Sequence, residues 1–179
     1  VIEPKIDGVA LALVYQSGEL QRAYTRSGRD VTRYALEVPD IPLSVPRYGK
    51  FTVRGELYAF NEHAPKSQRI AAAQLRRIQP DCHLLSFVAF QILNSQNDHK
   101  DNLKELTKLD FRVVPYVDAN SYDEIKKCHN DWLDGRFFQS NYFTFLPTDG
   151  IVVKINSRSI QKQLGQSTRC PLWAVALKG

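Results

Sequence analysis

The sequence predicts an α+β fold in which antiparallel sheets are flanked by helices. Residues 9–15 and 19–25 are β-prone runs joined by Gln16-Ser17-Gly18, a connection that suits an antiparallel hairpin. Amphipathic helical patterns over 98–109 and 122–133 then alternate with apolar stretches, and the short early turns exclude a purely parallel βαβ arrangement for that half. With 179 residues, 43% of them hydrophobic, the chain can fill one sizeable core, so a single domain over 1–179 is expected.

Each element follows from local chemistry. Between residues 28 and 50, Pro39, Pro42 and Pro46 forbid a long helix and leave a loop or an edge. Residues 51–60 alternate apolar with polar positions and read as a strand, with Arg54 and Glu56 on one face. Three consecutive alanines within 68–77 favour a helix, and 83–93 is an apolar strand. Asp98 is placed to cap the helix over 98–109, and Ser121 or Asp123 the helix over 122–133, with a strand at 111–117 between them. The chain closes with a strand (150–155), a short helix (159–164) stopped by Gly165, and a strand (173–178).

Twenty-four Lys and Arg against nineteen Asp and Glu give a formal charge of +5, which suits a phosphate-bearing partner. Cys82, Cys128 and Cys170 show no zinc-type spacing and read as free thiols of a reducing compartment. His63, His83, His99 and His129 are scattered without metal-type clustering, and no role is drawn for them. No apolar run approaches the roughly 18 residues of a membrane span, so a cytoplasmic, membrane-free protein is expected. With no Met and a first residue Val directly before a motif, the chain reads as a domain of a longer polypeptide.

The chemistry concentrates in short motifs. Lys5-Ile6-Asp7-Gly8 places a lysine, an acid two residues on and a glycine permitting close approach immediately before a strand. Arg26 in Tyr24-Thr25-Arg26-Ser27-Gly28, Glu56 in Val53-Arg54-Gly55-Glu56, Lys154 in Asp149-Gly150-Ile151-Val152-Val153-Lys154 and Lys178 in Trp173-Ala174-Val175-Ala176-Leu177-Lys178 follow in or beside strand-like text. On their own, Phe90 and Trp173 read as core residues, and Arg76 and Arg77 as a solvated helix face.

In order and type this set resembles the motif series of covalent nucleotidyltransferases, the ligases and capping enzymes. Within that superfamily it is most similar to the adenylation domain of NAD-dependent DNA ligases. The stretch Asp149-Gly150-Ile151-Val152-Val153-Lys154-Ile155-Asn156, then Gln163-Leu164-Gly165, then Ser167-Thr168-Arg169-Cys170-Pro171-Leu172-Trp173-Ala174 carries the resemblance most specifically. ATP-dependent ligases usually place Glu before that first Gly and lack the Trp-Ala block. Arg69-Ile70-Ala71-Ala72-Ala73-Gln74-Leu75-Arg76 resembles the family's alanine-rich arginine segment.

The resemblance implies a covalent nucleotidyltransferase (ATP-grasp-like) fold and a reaction in which Lys5 takes AMP from NAD and passes it to the 5′-phosphate of nicked double-stranded DNA. It assigns catalysis to Lys5, Asp7, Lys154 and Lys178. Glu3 reaches the adenine amino group, Phe90 stacks where the family usually has Tyr, Glu56 holds the ribose, and Arg26, Lys154 and Lys178 complete the nucleotide site. Arg69, Arg76 and Arg169 face nucleic acid, and Asp149 and Glu56 are the candidate Mg²⁺ ligands. A lysine amine is protonated at neutral pH, so Lys154, Lys178 and a metal are expected both to favour its neutral form and to offset charge on the α-phosphate. Mg²⁺, a monomeric state and further ligase domains in the same polypeptide are implied too.

The chain departs from the pattern in places. The loop after Arg26 is several residues shorter than the family's, Ile70 replaces an Asn, and Phe143 stands where an arginine is usual, with Arg136 and Asn141 nearby. An ATP-using DNA or RNA ligase and a non-catalytic nucleotide- or nucleic-acid-binding relative remain the alternatives.

Overall fold

The computed structural model describes residues 1–59, 66–137, 146–168 and 170–179. Among the described residues, seven strands form two antiparallel sheets. One contains β1 (Ile2–Ile6), β6 (Thr148–Lys154) and β7 (Ala174–Lys178) in the order β1-β6-β7. The other contains β2 (Val9–Gln16), β3 (Glu19–Thr25), β4 (Lys50–Ala59) and β5 (Leu85–Ile92) in the order β3-β2-β4-β5.

The predicted hairpin is β2–β3. Ser17 (φ 52°) and Gly18 (φ 85°) both take left-handed backbone, as a two-residue turn matching strand twist requires. Alternation then buries Leu11, Leu13 and Tyr15 on β2 against Phe51, Val53 and Leu57 on β4. Arg54 and Glu56 share the opposite face of β4 from Val53 and Leu57, as expected. Tyr15 stacks on Phe51 at 5.2 Å and meets Phe111 edge-on at 5.8 Å, and its hydroxyl donates to the Pro42 carbonyl at 2.6 Å, pinning the proline-rich loop.

Helices α2 (Ser67–Gln74) and α3 (His99–Lys108) pack on β4 and β5, and α4 (Tyr122–Leu133) packs on β6. Leu103 and Leu106 of α3 join the core, while α4 buries none of its residues fully. Ser121, rather than Asp123, caps α4 by accepting from the Glu124 amide. Helix α5 (Arg158–Leu164) ends at Gly165, whose φ of 68° stops it.

Three expectations need correction. Residues 111–117 form no strand and make only isolated bridges, Ala89↔Val113 and Ile2↔Val117, since Pro115 cannot donate to a continuous ladder. The 28–50 loop includes one short helix, α1 (Thr32–Ala35). Asp98 stands at the N-cap of α3 but does not cap it, because its carboxylate accepts instead from the Arg158 amide opening α5, at 2.8 Å. The motif at 5–8 does run straight into strand β2 at Val9, and Lys5 itself already belongs to β1.

The two sheets meet at the Asp7-Gly8 corner. A Cβ on Gly8 would lie 2.3 Å from the Leu57 carbonyl oxygen, so the chain passes over β4 at a distance only glycine allows. This corner, tied down by the Asp7 amide donating to the Pro147 carbonyl at 2.9 Å, brings β1 beside Glu56.

Candidate active site

Strand β1 is an edge strand, and its register with β6 slips between Pro4 and Ile6, around Lys5. A bulge of this kind re-aims a side chain out of the regular alternation. The Lys5 ammonium donates to Asp149 Oδ1 at 2.7 Å, and Lys178 of β7 reaches Asp149 Oδ2 at 2.9 Å. The Gly150↔Lys178 register places Lys178 beside Asp149. Burial pulls the Asp149 carboxyl up, but Lys5 and Lys178 more than offset it and hold the group below its usual range. With Lys178 61% exposed, its pair with Asp149 contributes at most about 1 kcal/mol and serves to orient the carboxylate rather than to hold the fold.

Two residues upstream on β1, Glu3 is only 2% exposed. Its Oε2 accepts from Lys154 Nζ at 2.5 Å and its Oε1 contacts His99 Nε2. Lys154 also lies over the face of Phe90, 4.9 Å from the ring centroid. Burial alone would raise the Glu3 carboxyl; the Lys154 cation and His99 reverse that and lower it. Phe90 is half-buried with a face turned to this cluster, and Trp173 is half-buried rather than core.

The lysines expected around Lys5 therefore divide between two clusters. Asp149 and Lys154 stand at opposite ends of β6, five residues or roughly 16 Å apart along the strand. Lys178 joins Lys5 through Asp149, whereas Lys154 joins Glu3.

Glu56 approaches from the other sheet and accepts from the Gly8 amide. Burial is the main influence on its carboxyl, which is pushed up to about 7; Asp7 and Asp149 add to this, and Lys5 opposes it. Asp7 is half-buried. Arg26, Arg69 and Arg76 lie exposed on the surface, and Arg169, Asn141 and Phe143 fall outside the described residues. A cleft of about 590 Å³ borders Lys154 and is lined by Lys100, Asp118, Asn156 and Trp173; Lys5, Asp149 and Glu56 do not line it.

A Mg²⁺ ion needs oxygen ligands. Among the described residues no group of three or more His, Cys, Asp or Glu side chains is placed to hold a metal, and both Asp149 oxygens are engaged by lysines.

The family model for the NAD-dependent DNA ligase adenylation domain matches residues 1–179. The chain belongs to that family. DNA ligases of Halothermothrix orenii and Fervidobacterium nodosum are 31% and 34% identical over 206 and 205 residues, covering 99% of this chain. The chain spans about three tenths of their length, 30% and 29% respectively. Among solved structures, a Lig E DNA ligase superposes with a TM-score of 0.60 at 15% identity, covering 99% of this chain and 61% of that one. An archaeal ATP-dependent RNA ligase does so at 0.55 and 16%, covering 99% and 42%. These two likenesses show the fold alone.

For an NAD-dependent ligase adenylation domain, NAD is the AMP donor. The structure brings Lys5, Asp149 and Lys178 into one cluster, Glu3, Lys154 and Phe90 into another, and Glu56 and Asp7 beside the first. One residue given no role from the sequence, His99, is buried at the centre of the second. Its partner Glu3 is 96 positions away, so no local pattern reveals the pair.

Proposed function

We propose that this domain forms a covalent Lys5–AMP intermediate from NAD for the sealing of nicked double-stranded DNA. The observation that carries the reading is the placement of Lys5 at a bulge in β1, with its amine 2.7 Å from Asp149 and a second lysine on the same carboxylate. Glu3 and Lys5, two residues apart on one strand, are separated by roughly 7 Å, a scale on which a nucleotide's base and phosphate can be held together.

The base stacks on Phe90 and donates its amine to Glu3, and Glu56 binds the ribose. Lys5 Nζ, once deprotonated, attacks the α-phosphorus. An N–P bond forms, the bond to the bridging oxygen breaks, and nicotinamide mononucleotide leaves with the electron pair. Lys178 and a reoriented Lys154 neutralise the phosphate oxygens, and Asp7 supports the charge balance around Lys5. Asp149 and Glu56 are the carboxylates that would be offered to Mg²⁺, which would supply further charge neutralisation. The AMP then passes to a DNA 5′-phosphate, whose duplex is held by Arg26, Arg69, Arg76 and Arg169. A 3′-hydroxyl displaces AMP and closes the strand.

The relatives' greater length supports further ligase domains in the same polypeptide. A cytoplasmic monomer is the working state we assign. No helix among the described residues is long and apolar enough to cross a membrane. Mass spectrometry after incubation with NAD and Mg²⁺ tests the chemistry: the protein gains one AMP, Lys5→Ala gains none, and ATP in place of NAD yields no adduct. An adduct on Lys5→Ala, or tight AMP binding with no adduct on the unaltered protein, overturns the proposal.

A further inference from the structure

We propose that His99 is a positioning residue that fixes the Glu3 carboxylate as the acceptor for the exocyclic amine of the bound base, and so sets the choice of adenine over 6-oxopurines. This rests on the nucleotide-site reading above and adds to it a residue outside the motifs that carry the family resemblance.

The geometry makes His99 the fixed partner of Glu3. Glu3 is 2% exposed and His99 3%. The two Glu3 oxygens are divided, Oε1 to His99 Nε2 and Oε2 to Lys154 Nζ. Lys154 lies over the Phe90 face, the surface on which a base would stack, so a base taking that face displaces the lysine from it. With Lys154 drawn away, His99 is the neighbour that keeps a buried carboxylate paired. A carboxylate left alone at such depth takes up a proton instead.

His99 itself cannot drift. It opens α3, and its backbone amide donates to the Asn156 carbonyl at 2.9 Å. The Asn156 side chain accepts from the Lys100 amide at 2.9 Å, and Asp98 accepts from the Arg158 amide at 2.8 Å. Three consecutive residues at the start of α3 are thus stitched to the segment that follows Lys154 on β6. His99 also lines a small cavity together with Ile92, Ser95, Asn102, Arg158, Gln161 and Trp173. The Nε of Arg158 is the buried side-chain atom without a hydrogen-bond partner among the described residues.

The consequence is chemical. An ionised carboxylate only accepts hydrogen bonds, so it pairs with the amine of adenine and repels the carbonyl oxygen that occupies the same place in hypoxanthine or guanine. A protonated or rotated Glu3 can do either. His99 therefore acts on discrimination, beyond any effect on stability.

The test is calorimetric titration of the protein with AMP and with IMP, in which a carbonyl replaces the amine. We expect the unaltered protein to favour AMP by about 10- to 100-fold, the range of one hydrogen bond to a charged group. His99→Leu should bring that ratio to within about threefold of one, as should Glu3→Gln, whereas His99→Gln, which keeps a donor, should retain most of it. If His99→Leu does not fold, His99→Asn, whose shorter amide withdraws the donor, carries the same expectation. Equal loss of AMP and IMP binding with an unchanged ratio would make His99 merely structural and overturn the proposal. Failure of the underlying site reading looks different: neither nucleotide binds the unaltered protein, or Glu3→Gln leaves the ratio unaltered.

Discussion

Glu56 offers a quantitative test of how the two sheets meet. Its carboxyl rises from 4.5 to about 7 because the Asp7-Gly8 corner covers it and shuts out water. A folded-state value above the unfolded one means that the folded chain holds a proton the unfolded chain has released. Stability is therefore highest below about pH 4.5 for this group and falls as pH rises toward and through about 7. A shift of roughly 2.5 units corresponds to a ceiling of about 3 kcal/mol, of which roughly 2 to 3 kcal/mol would be lost between about pH 5 and pH 8. Glu56→Gln keeps the shape and removes the titration. Urea unfolding of both proteins at pH 5, 6, 7 and 8 should show the variant gaining on the parent by about that amount at the alkaline end. Ionisation at sites that do not interact with Glu56 enters both proteins equally and cancels in the difference. A difference between the two that stays constant with pH would refute the reasoning, and with it the claim that the corner desolvates Glu56.

Two other outcomes follow from the same geometry. Lys154→Met should cost about 1 to 3 kcal/mol by removing one of the two partners of buried Glu3 while His99 remains, and the double substitution with Glu3→Gln should recover much of it. Urea midpoints within about 0.5 kcal/mol of the parent for Lys154→Met alone would show the pair to be immaterial. Gly8→Ala drives a methyl onto the Leu57 carbonyl and the Glu56 side chain; a loss of about 1 to 3 kcal/mol together with a weakened Lys5 adduct is expected, and an unchanged melting temperature argues against the tight corner.

Much of this protein is written locally. The β2–β3 hairpin, the strand holding Glu56, and helices α2 to α5 follow from periods of two and 3.6 residues and from helix-forming composition, joined at α4 and α5 by the cap Ser121 and the stop Gly165, signals that neighbours in sequence carry by themselves. The motif series likewise determined the family and the residues to consider, because short strings of Lys, Asp, Glu and Gly in fixed order persist whatever the packing. The strand around Lys5 was not legible: Pro4 and flanking charges hide it, and only pairing with β6, more than 140 positions away, makes it extended. Residues 111–117 show the converse, a β-prone string denied a ladder partner.

What only the tertiary structure decided is which charges meet. Sequence order sets Lys154 and Lys178 together as cations for Lys5, but the register of β6 with its neighbours assigns one to Glu3 and the other to Asp149. Burial of Glu3 and His99 against each other, and the raised carboxyl of Glu56, arise from the same long-range packing. Secondary structure is encoded over a few residues, whereas electrostatic partners are chosen by distance in space, and the separations of 96 and 151 residues between Glu3 and its partners His99 and Lys154 leave no local trace of that choice.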